Sequence, residues 1–304
     1  MSKSKKEFSL ISPHFWPSWL AIGLLWSLTR FPYRWQIRFG KTLGRLLYLF
    51  PTKLRAIAEV NIKRCFPELS AAEQVELIKK NFDSLGIGLI ESAMSWWVSD
   101  EKLADMYKLN GLEHAEAAFA KGKGILLLGP HFTSLEIVGR IISMKYSFAV
   151  MYRPHKNRLV SLIHEKFRKK HYSHHIPRHR MRDLLRALNE NAAIWYAYDV
   201  DAGPKSSVFA PFFGIQTASL TSVSRIVRLS DTTVLPISFY RRENELGYEI
   251  NLYPPLENFP GENLQEDAVR LNAALEFSIR QKPEQYVWQY KRFKTRPEGE
   301  ARFY

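Results

Sequence analysis

The sequence lacks several features that would define a function at once. Cys65 is the only cysteine among 304 residues, which excludes an internal disulfide and a multi-cysteine metal site and fits a reducing compartment. Neither a Gly-x-Ser-x-Gly nucleophile elbow nor a Walker A phosphate loop occurs, which disfavours a serine hydrolase of that type and a P-loop nucleotidase. No repeat, low-complexity tract or Gly/Ser linker interrupts residues 52–304, so this part is interpreted as one continuous domain.

Acidic residues are scarce in two segments of a chain whose formal net charge is +14. Residues 1–64 contain twelve Lys or Arg against two acidic residues, and residues 151–186 contain eleven against two. Such an excess predicts attraction to a polyanion, which could be nucleic acid, anionic lipid or an acidic carrier protein. Charge alone does not choose among them.

The N-terminal segment combines an apolar run with a basic stripe. Residues 15–28 carry no charge and contain three tryptophans, but they fall short of the roughly 20 residues that a bilayer span needs, and no small-residue cleavage site follows. The next segment places Arg34, Arg38, Lys41 and Arg45 on one stripe of a helix, as in helices that bind an anionic membrane surface. The alternative is an ordinary surface helix with a solvated face. We predict an uncleaved anchor that spans the membrane or lies in its interface.

Beyond this segment, short apolar runs alternate with helical patterns. Ser70 and Glu73 form a predicted capping box at the start of a helix that runs toward Trp97. The alternation predicts an α/β fold with a central mixed sheet flanked by helices. Strands are predicted at residues 125–128, 148–152, 193–198, 234–240, 248–253 and 286–290, and helices at residues 182–189, 220–229 and 266–281.

His131 is the first candidate for chemistry. It follows an apolar strand that stops at Gly129-Pro130, and α/β folds bind their ligands at such strand ends. A helix is predicted to begin near Ser134, with Glu136 in its first turn, from which its carboxylate could turn back to accept a hydrogen bond from the imidazole. Without a protein nucleophile, His131 would act as general base on a substrate hydroxyl that attacks an acyl thioester. From spacing alone, a structural or solvated pair is the alternative.

Four further segments carry a family resemblance. Residues 61–70 (NIKRCFPELS), 152–154 (YRP), 198–214 (YDVDAGP through FAPFFG) and 288–297 (WQYKRFKTRP) resemble, together with the His-x4-Glu spacing of His131 and Glu136, the late acyltransferases of lipid A biosynthesis. This is the lauroyl- and myristoyltransferase group, and the lauroyltransferase type looks closest.

The resemblance implies an enzyme of the bacterial inner membrane with its active site on the cytoplasmic side. Residues 1–50 would be the membrane anchor and basic amphipathic helix, contacting inner-membrane phospholipids, and residues 51–304 a catalytic domain like that of the glycerolipid acyltransferases. The enzyme would move a fatty acyl chain from acyl carrier protein to a hydroxyacyl chain of a Kdo-bearing lipid A precursor. His131 would be the general base and Glu136 its orienting carboxylate. A monomer without metal or organic cofactor is expected.

Basic side chains are the candidates for substrate binding. Arg153, Arg168 and Arg178 could form bidentate hydrogen bonds to phosphate or carboxylate groups, or they could belong to a solvated basic surface. Asp199 is a further substrate-binding candidate, which could instead hold one of these arginines or be structural. Six of the nine histidines lie between residues 155 and 179, but in a basic stretch predicted to be a loop, so no metal site is predicted.

Two other functions remain open from the sequence. A related membrane acyltransferase could act on a lysoglycerophospholipid instead of a lipid A precursor. A nucleic-acid-binding protein would explain the charge, but zinc-finger spacing and a clear RNP1 segment are absent and the apolar N-terminus would have no explanation. No nucleic-acid partner is predicted.

Overall fold

A computed structural model of the protein describes residues 10–242 and 247–304, and a seven-stranded sheet forms the centre of this part of the chain. The strand order is β1-β9-β8-β2-β5-β3-β4, and neighbouring strands are parallel except β8 and β9. β6 and β7 form a separate antiparallel hairpin. The strands are β1 Tyr107–Asn110, β2 Ile125–Leu128, β3 Phe148–Tyr152, β4 His174–Pro177, β5 Ala193–Tyr196, β6 Ser207–Phe212, β7 Ile215–Leu220, β8 Thr233–Arg241 and β9 Tyr248–Leu252.

Helices cover the sheet and form the N-terminal part of the described chain. The predicted α/β fold with a central mixed sheet flanked by helices is therefore confirmed. The helices are α1 Trp16–Leu28, α2 Tyr33–Leu49, α3 Lys53–Cys65, α4 Ala71–Trp97, α5 Asp100–Ala104, α6 Leu112–Phe119, α7 Leu135–Lys145, α8 Arg158–His171, α9 Met181–Asn189, α10 Ser222–Ser230 and α11 Leu264–Gln281.

The apolar runs of the sequence become the central strands. All four residues of β2 are buried, because β2 lies between β8 and β5 and is covered on both faces. The strands predicted at residues 125–128 and 148–152 have the predicted bounds. The strand predicted at residues 286–290 is wrong: Tyr286 follows a 3₁₀ turn and forms only an isolated bridge with Phe132.

The histidine-rich stretch also differs from its prediction. The sequence predicts a loop here, whereas the stretch forms α8 and the edge strand β4. Asn157 begins α8 by accepting backbone hydrogen bonds from Leu159 and Val160, an N-cap that stabilises the first turn. Most basic residues of this stretch therefore lie on a defined helix, namely Arg158, Lys166, Arg168, Lys169 and Lys170.

The long helix α4 organises the N-terminal part. The predicted capping box is confirmed, since the Ser70 side chain accepts from the Glu73 backbone while the Glu73 carboxylate accepts from Ser70. α2 packs on α4 at very short range: a Cβ added at Gly44 would lie 2.1 Å from the Phe82 carbonyl oxygen, and one at Gly86 would lie 2.2 Å from the Gly40 carbonyl oxygen. Only glycine allows the two helices to approach so closely.

α1 and the outer side of α2 expose apolar side chains. α1 has no buried residue, and α2 buries only Gln36 and the two glycines that face α4. We call the exposed set the N-terminal apolar surface; it comprises Trp16, Trp19, Leu20, Leu24, Trp26, Trp35 and Phe39. Within residues 10–242 and 247–304, no helix has both the length and the apolar character to cross a membrane. The first nine residues of the predicted anchor lie outside the described residues.

Candidate active site

Two parallel strands bring His131 and Asp199 together. β2 pairs with β5 so that Leu128 lies opposite Tyr196, and His131 and Asp199 each follow three residues after these positions. The Asp199 carboxylate contacts His131 twice: Oδ1 lies 2.6 Å from the ring nitrogen Nδ1, and Oδ2 accepts the backbone N–H at 2.8 Å. This double contact fixes the imidazole at the carboxyl edge of the sheet.

Burial differs sharply between the two partners. The Asp199 side chain is 1% exposed, whereas the His131 side chain is 33% exposed. With Nδ1 directed at Asp199, the other ring nitrogen, Nε2, has no hydrogen-bond partner in the described part of the chain. The Trp195 ring meets the imidazole edge-on, with 5.0 Å between ring centroids. The arrangement resembles the His and carboxylate of a charge-relay site, with Nε2 left for a substrate.

The charges of the pair stabilise each other. Burial lowers the pKa of His131, but the charge of Asp199 and its hydrogen bond outweigh this effect, so the pKa is raised above its ordinary value. Burial alone would raise the pKa of Asp199; His131 and, more weakly, the buried Arg292 reverse the shift and lower it. Asp199 is therefore ionised at neutral pH, and an imidazolium at position 131 is stabilised.

The C-terminal segment holds the loop that carries His131. The His131 carbonyl accepts from the Val287 backbone at 2.9 Å, and the Thr133 backbone donates to the Gln285 carbonyl at 2.8 Å. Tyr286, which pairs with Phe132, has its hydroxyl close to Asp199, and burial together with that charge raises the pKa of the Tyr286 hydroxyl. This explains why residues 286–290 are not a strand: they pair with the active-site loop.

Two asparagine side chains fix this C-terminal segment in turn. The Asn81 amide donates to the carbonyls of Glu284 and Tyr286 at 2.9 and 2.7 Å, and the Asn61 amide donates to those of Trp288 and Tyr290 at 2.7 and 2.8 Å. Both asparagines are buried. The upstream segment that contains Asn61 therefore helps to position the His131 loop, because it holds the C-terminal segment that contacts this loop.

A buried ion pair supports the same loop from the other side. The Arg241 guanidinium donates to Glu91 at 2.6 Å and to the Thr133 hydroxyl at 2.7 Å, and Ser84 lies 2.7 Å from that hydroxyl. Burial raises the pKa of Glu91, against the lowering effect of Arg241. The pair ties α4 and β8 to a residue two positions after His131.

Glu136 does not make the contact expected of it. It lies in the first turn of α7, as predicted. The expected hydrogen bond to His131 is absent among the described contacts, because Asp199 occupies Nδ1; instead, a Glu136 carboxylate oxygen lies 3.8 Å from an Arg168 nitrogen. Asp199, in turn, is buried against His131, whereas the sequence left open a contact with substrate, a contact with an arginine or a structural role. The contacts of Glu136 therefore differ from those that the sequence suggested, although its place in the first turn of α7 does not.

The three candidate arginines lie in two places. Arg153 and Arg178 are exposed and directly follow the paired strands β3 and β4, where the Arg178 N–H donates to the Tyr152 carbonyl at 3.0 Å. They therefore share the carboxyl edge of the sheet with His131. Arg168 comes from α8 and lies over the Tyr152 ring, 4.8 Å from its centroid.

A small apolar pocket lies beside the catalytic loop. Its volume is about 60 Å³. Glu136 and Arg168 supply its charged atoms, and Trp195, which contacts the His131 ring, forms part of its wall. The remaining lining residues are Leu135, Gly139, Phe148, Val150, Met151, Tyr152 and Tyr172. The pocket offers apolar contacts close to the imidazole.

The histidines between residues 155 and 179 do not form a common site. Burial and the charge of Arg168 lower the pKa of His164 to about 4, and burial with the charge of Arg140 lowers that of His171 to about 4. These two rings are therefore neutral at physiological pH. Across the described ranges, no group of three or more His, Cys, Asp or Glu side chains is arranged to hold a metal ion.

The chain is similar to proteins of one family along nearly its whole length. Residues 3–295 match the family described as bacterial lipid A biosynthesis acyltransferase. The lipid A biosynthesis lauroyltransferase of Escherichia coli K12 is 35% identical over 97% of this chain and 97% of its own length. The palmitoleoyltransferase of the same organism is 33% identical, covering 99% and 98%, and its myristoyltransferase is 24% identical, covering 96% and 91%.

Proposed function

Because the chain belongs to the bacterial lipid A biosynthesis acyltransferases, and is thus an acyltransferase, we propose that it moves a fatty acyl chain from acyl carrier protein to a hydroxyacyl chain of a Kdo-bearing lipid A precursor. The family supplies the reaction class and a lipid A precursor as acceptor. The observation that carries the catalytic proposal is the His131–Asp199 pair, whose second ring nitrogen is directed away from Asp199 at the carboxyl edge of the sheet.

His131 acts as general base. Asp199 holds the Nδ1–H tautomer, which leaves the lone pair of Nε2 free to take the proton of the substrate hydroxyl. As that proton leaves, the oxygen attacks the thioester carbonyl carbon, and the imidazolium that forms is stabilised by the Asp199 charge. General-base catalysis of this kind contributes about 10²- to 10⁴-fold to a rate.

The second half of the reaction returns the proton. Collapse of the tetrahedral intermediate breaks the carbon–sulfur bond, and the thiolate of the carrier's prosthetic group takes the proton from the His131 imidazolium. The new ester bond joins the acyl carbon to the hydroxyl oxygen of the acceptor chain. No covalent enzyme intermediate is needed, which agrees with the burial of Cys65 and the raised pKa of its thiol.

Glu136 contributes on the substrate side of the site. It lies at the edge of the apolar pocket with Arg168, 3.8 Å from it, rather than on the Asp199 side of His131. The pair would keep the Arg168 guanidinium directed at an anionic or carbonyl oxygen of the substrates while the apolar wall contacts a hydrocarbon chain. Glu136 remains part of the proposed catalytic machinery, but the orienting carboxylate of His131 is now Asp199.

The basic segment around α8 is the proposed docking region for the acidic donor protein. Arg153 and Arg178 lie at the same sheet edge as His131, so a carrier bound there would have its thioester within reach of the site. Exposed lysines of α8 extend this positive surface; they are Lys166, Lys169 and Lys170. A complementary charge of this kind mainly accelerates encounter and fixes orientation.

The N-terminal apolar surface is the proposed contact with the cytoplasmic side of the inner membrane. Trp16, Trp19 and Trp26 of α1 are exposed by 62%, 45% and 44%, and tryptophan favours the membrane–water interface. With α1 only 13 residues long, contact within the interface is the mode we propose.

One experiment tests donor, acceptor and reaction together. The purified protein is incubated with a Kdo-bearing lipid A precursor and a mixture of acyl carrier protein thioesters of different chain lengths, and the lipid product is identified by mass spectrometry. A mass increase of one acyl group is expected. His131→Ala, with an unchanged circular dichroism spectrum and unchanged vesicle binding, should lose activity by about 10³-fold or more.

Two results of the same assay would contradict the proposed function. Full activity of His131→Ala would exclude the general-base mechanism. Acylation of a lysoglycerophospholipid in a parallel reaction, with no product from the lipid A precursor, would assign a different acceptor. The thioester mixture also reports acyl-chain preference. The chain is about equally identical, at 35% and 33%, to a relative named as a lauroyltransferase and one named as a palmitoleoyltransferase, so this preference is measured directly.

A further inference from the structure

A large cavity in the described part of the chain lies between α2, α4 and the end of β8. Its volume is about 660 Å³. We call it the N-terminal cleft. Its walls are formed by Tyr33, Arg34, Ile37, Arg38 and Lys41 of α2, by Lys80, Asp83, Ser84 and Ile87 of α4, and by Arg241, Arg242, Glu284 and Gln285.

The wall of this cleft carries more basic than acidic side chains. Arg34, Arg38 and Lys41 lie on one stripe of α2, and Lys80 faces them from α4. Within residues 10–242 and 247–304, none of these four cations lies within 4 Å of a carboxylate oxygen. Of the two acidic wall residues, Asp83 lies 3.4 Å from Arg45 and also interacts electrostatically with Lys41, while Arg38 lies over the Trp35 ring. The wall still carries more cations than carboxylates.

The position of the cleft indicates which anion it meets. Trp35 and Phe39, exposed by 49% and 40%, stand beside Arg34 and Arg38 on α2, so the mouth of the cleft borders the N-terminal apolar surface. The site is a cleft of about 660 Å³ lined by cations, which suits a lipid headgroup that enters from the bordering apolar surface. Side chains of opposite character on one helix suit a ligand with a charged head and hydrocarbon chains.

We propose that the N-terminal cleft binds phosphate groups on the headgroup of the acceptor lipid. This inference rests on the proposed function. Two guanidinium groups and two ammonium groups match the charge and the oxygen geometry of phosphate monoesters. The hydrocarbon chains would remain against the apolar surface of α1 and α2.

The inner end of the cleft reaches the catalytic loop. Ser84 and Arg241 line the cleft, and both contact the hydroxyl of Thr133, two residues after His131. A lipid headgroup held there would be anchored next to the element that carries the general base. Binding of the headgroup would therefore keep the acceptor on the enzyme while one of its chains reaches His131.

The test uses a charge-neutralised cleft. The variant Arg34→Gln/Lys41→Gln/Lys80→Gln removes three cleft cations, and a matched control, Lys63→Gln/Lys102→Gln/Lys121→Gln, removes three exposed lysines elsewhere. Co-sedimentation is measured with phosphatidylcholine vesicles that contain the phosphorylated precursor, the same precursor after phosphatase treatment, or phosphatidylglycerol. This readout does not depend on catalysis.

The cleft variant should bind vesicles with the phosphorylated precursor roughly 10- to 100-fold more weakly than the control does, the range expected for losing charge-assisted phosphate contacts. With the dephosphorylated precursor, the two variants should bind equally. In the acyl-transfer assay, the KM for the phosphorylated acceptor should rise, while the KM for the acyl carrier protein thioester stays unchanged.

Three outcomes would overturn the proposal. An equal loss on phosphatidylglycerol vesicles would indicate a generic anionic surface, and an equal loss in the control would indicate net charge alone. A raised KM for the carrier protein with an unchanged KM for the acceptor would assign the cleft to the acidic protein. If wild-type protein transfers no acyl group but still binds in a phosphate-dependent way, the proposed function fails and the cleft proposal stands.

Discussion

Two carboxylates flank His131, and their surroundings differ. Asp199 is 1% exposed and contacts both Nδ1 and the backbone N–H of His131, whereas the Glu136 side chain is 36% exposed and has Arg168 at 3.8 Å as its charged neighbour. A buried carboxylate with two short contacts can control the tautomer and pKa of the imidazole. A half-exposed carboxylate beside an arginine acts on what enters the site.

The comparison shows that sequence spacing and spatial role are separate. Glu136 is near His131 in the chain, but α7 directs its side chain toward α8 and the apolar pocket. Asp199 is 68 residues away in the chain and adjacent in space, because β2 and β5 are neighbouring parallel strands. If the roles differ as proposed, removing each charge should leave a different kinetic signature.

Asp199→Asn should give the largest effect of the two carboxylate substitutions. The uncharged amide cannot stabilise the imidazolium and does not enforce the Nδ1–H tautomer, so kcat should fall by roughly 10²- to 10⁴-fold. The measurement is steady-state kinetics with the precursor and a single acyl carrier protein thioester. A loss of less than threefold, in a protein with an unchanged melting temperature, would remove Asp199 from the mechanism.

The pH dependence of kcat/KM sharpens the same comparison. In wild-type enzyme the activity should fall as the pH falls through the pKa of His131, which Asp199 raises against the lowering effect of burial. In Asp199→Asn the raising contribution is gone and burial still acts, so the acid limb should move to lower pH even though the maximum is much reduced. Glu136→Gln should leave the position of the acid limb unchanged. A shift in that variant instead would return the orienting role to Glu136.

Much of the fold could be predicted from local patterns. Ile125–Leu128 is four apolar residues in a row, and such a run belongs to a strand covered on both faces, which β2 is. β4 could not be found in this way: its sequence is His-His-Ile-Pro, and an edge strand with one neighbour needs little apolar character. Residues 286–290 alternate like a strand, but their partners are the His131 loop and two asparagine side chains.

The site was predictable where it depends on one strand and not where it depends on strand order. His131 follows from a buried strand that ends at Gly-Pro, since the carboxyl ends of such strands carry the chemistry of α/β folds. Asp199 also directly follows a predicted strand, and this position is the only sign in the sequence that Asp199 could belong to the site. Its contact with His131 requires β5 to lie beside β2, whereas β3 precedes β5 in the chain, and local sequence does not determine that order.

Glu136→Gln should have a smaller effect than Asp199→Asn. Loss of the carboxylate frees Arg168 but leaves the His131–Asp199 pair intact, so a rate loss of roughly 10- to 100-fold is expected, the range typical of residues that orient a directly acting group. The kinetic assay is the same, with Glu165→Gln on the exposed face of α8 as a control of equal charge change. A loss equal to that of Asp199→Asn would show that the two carboxylates share one role.

The smallest expected effect is the coupling between Glu136 and Arg168, measured by a double-mutant cycle with Glu136→Gln and Arg168→Gln. Because the two groups are 3.8 Å apart and partly exposed to solvent, the coupling should be about 0.5–1 kcal/mol, or two- to fivefold in kcat/KM.

The cycle of Glu136→Gln with Asp199→Asn tests the comparison most directly. If Glu136 acts on the substrate and Asp199 on the imidazole, the two losses should multiply. If both act through His131, the double variant should be little worse than Asp199→Asn alone, and the distinction between the carboxylates would be lost.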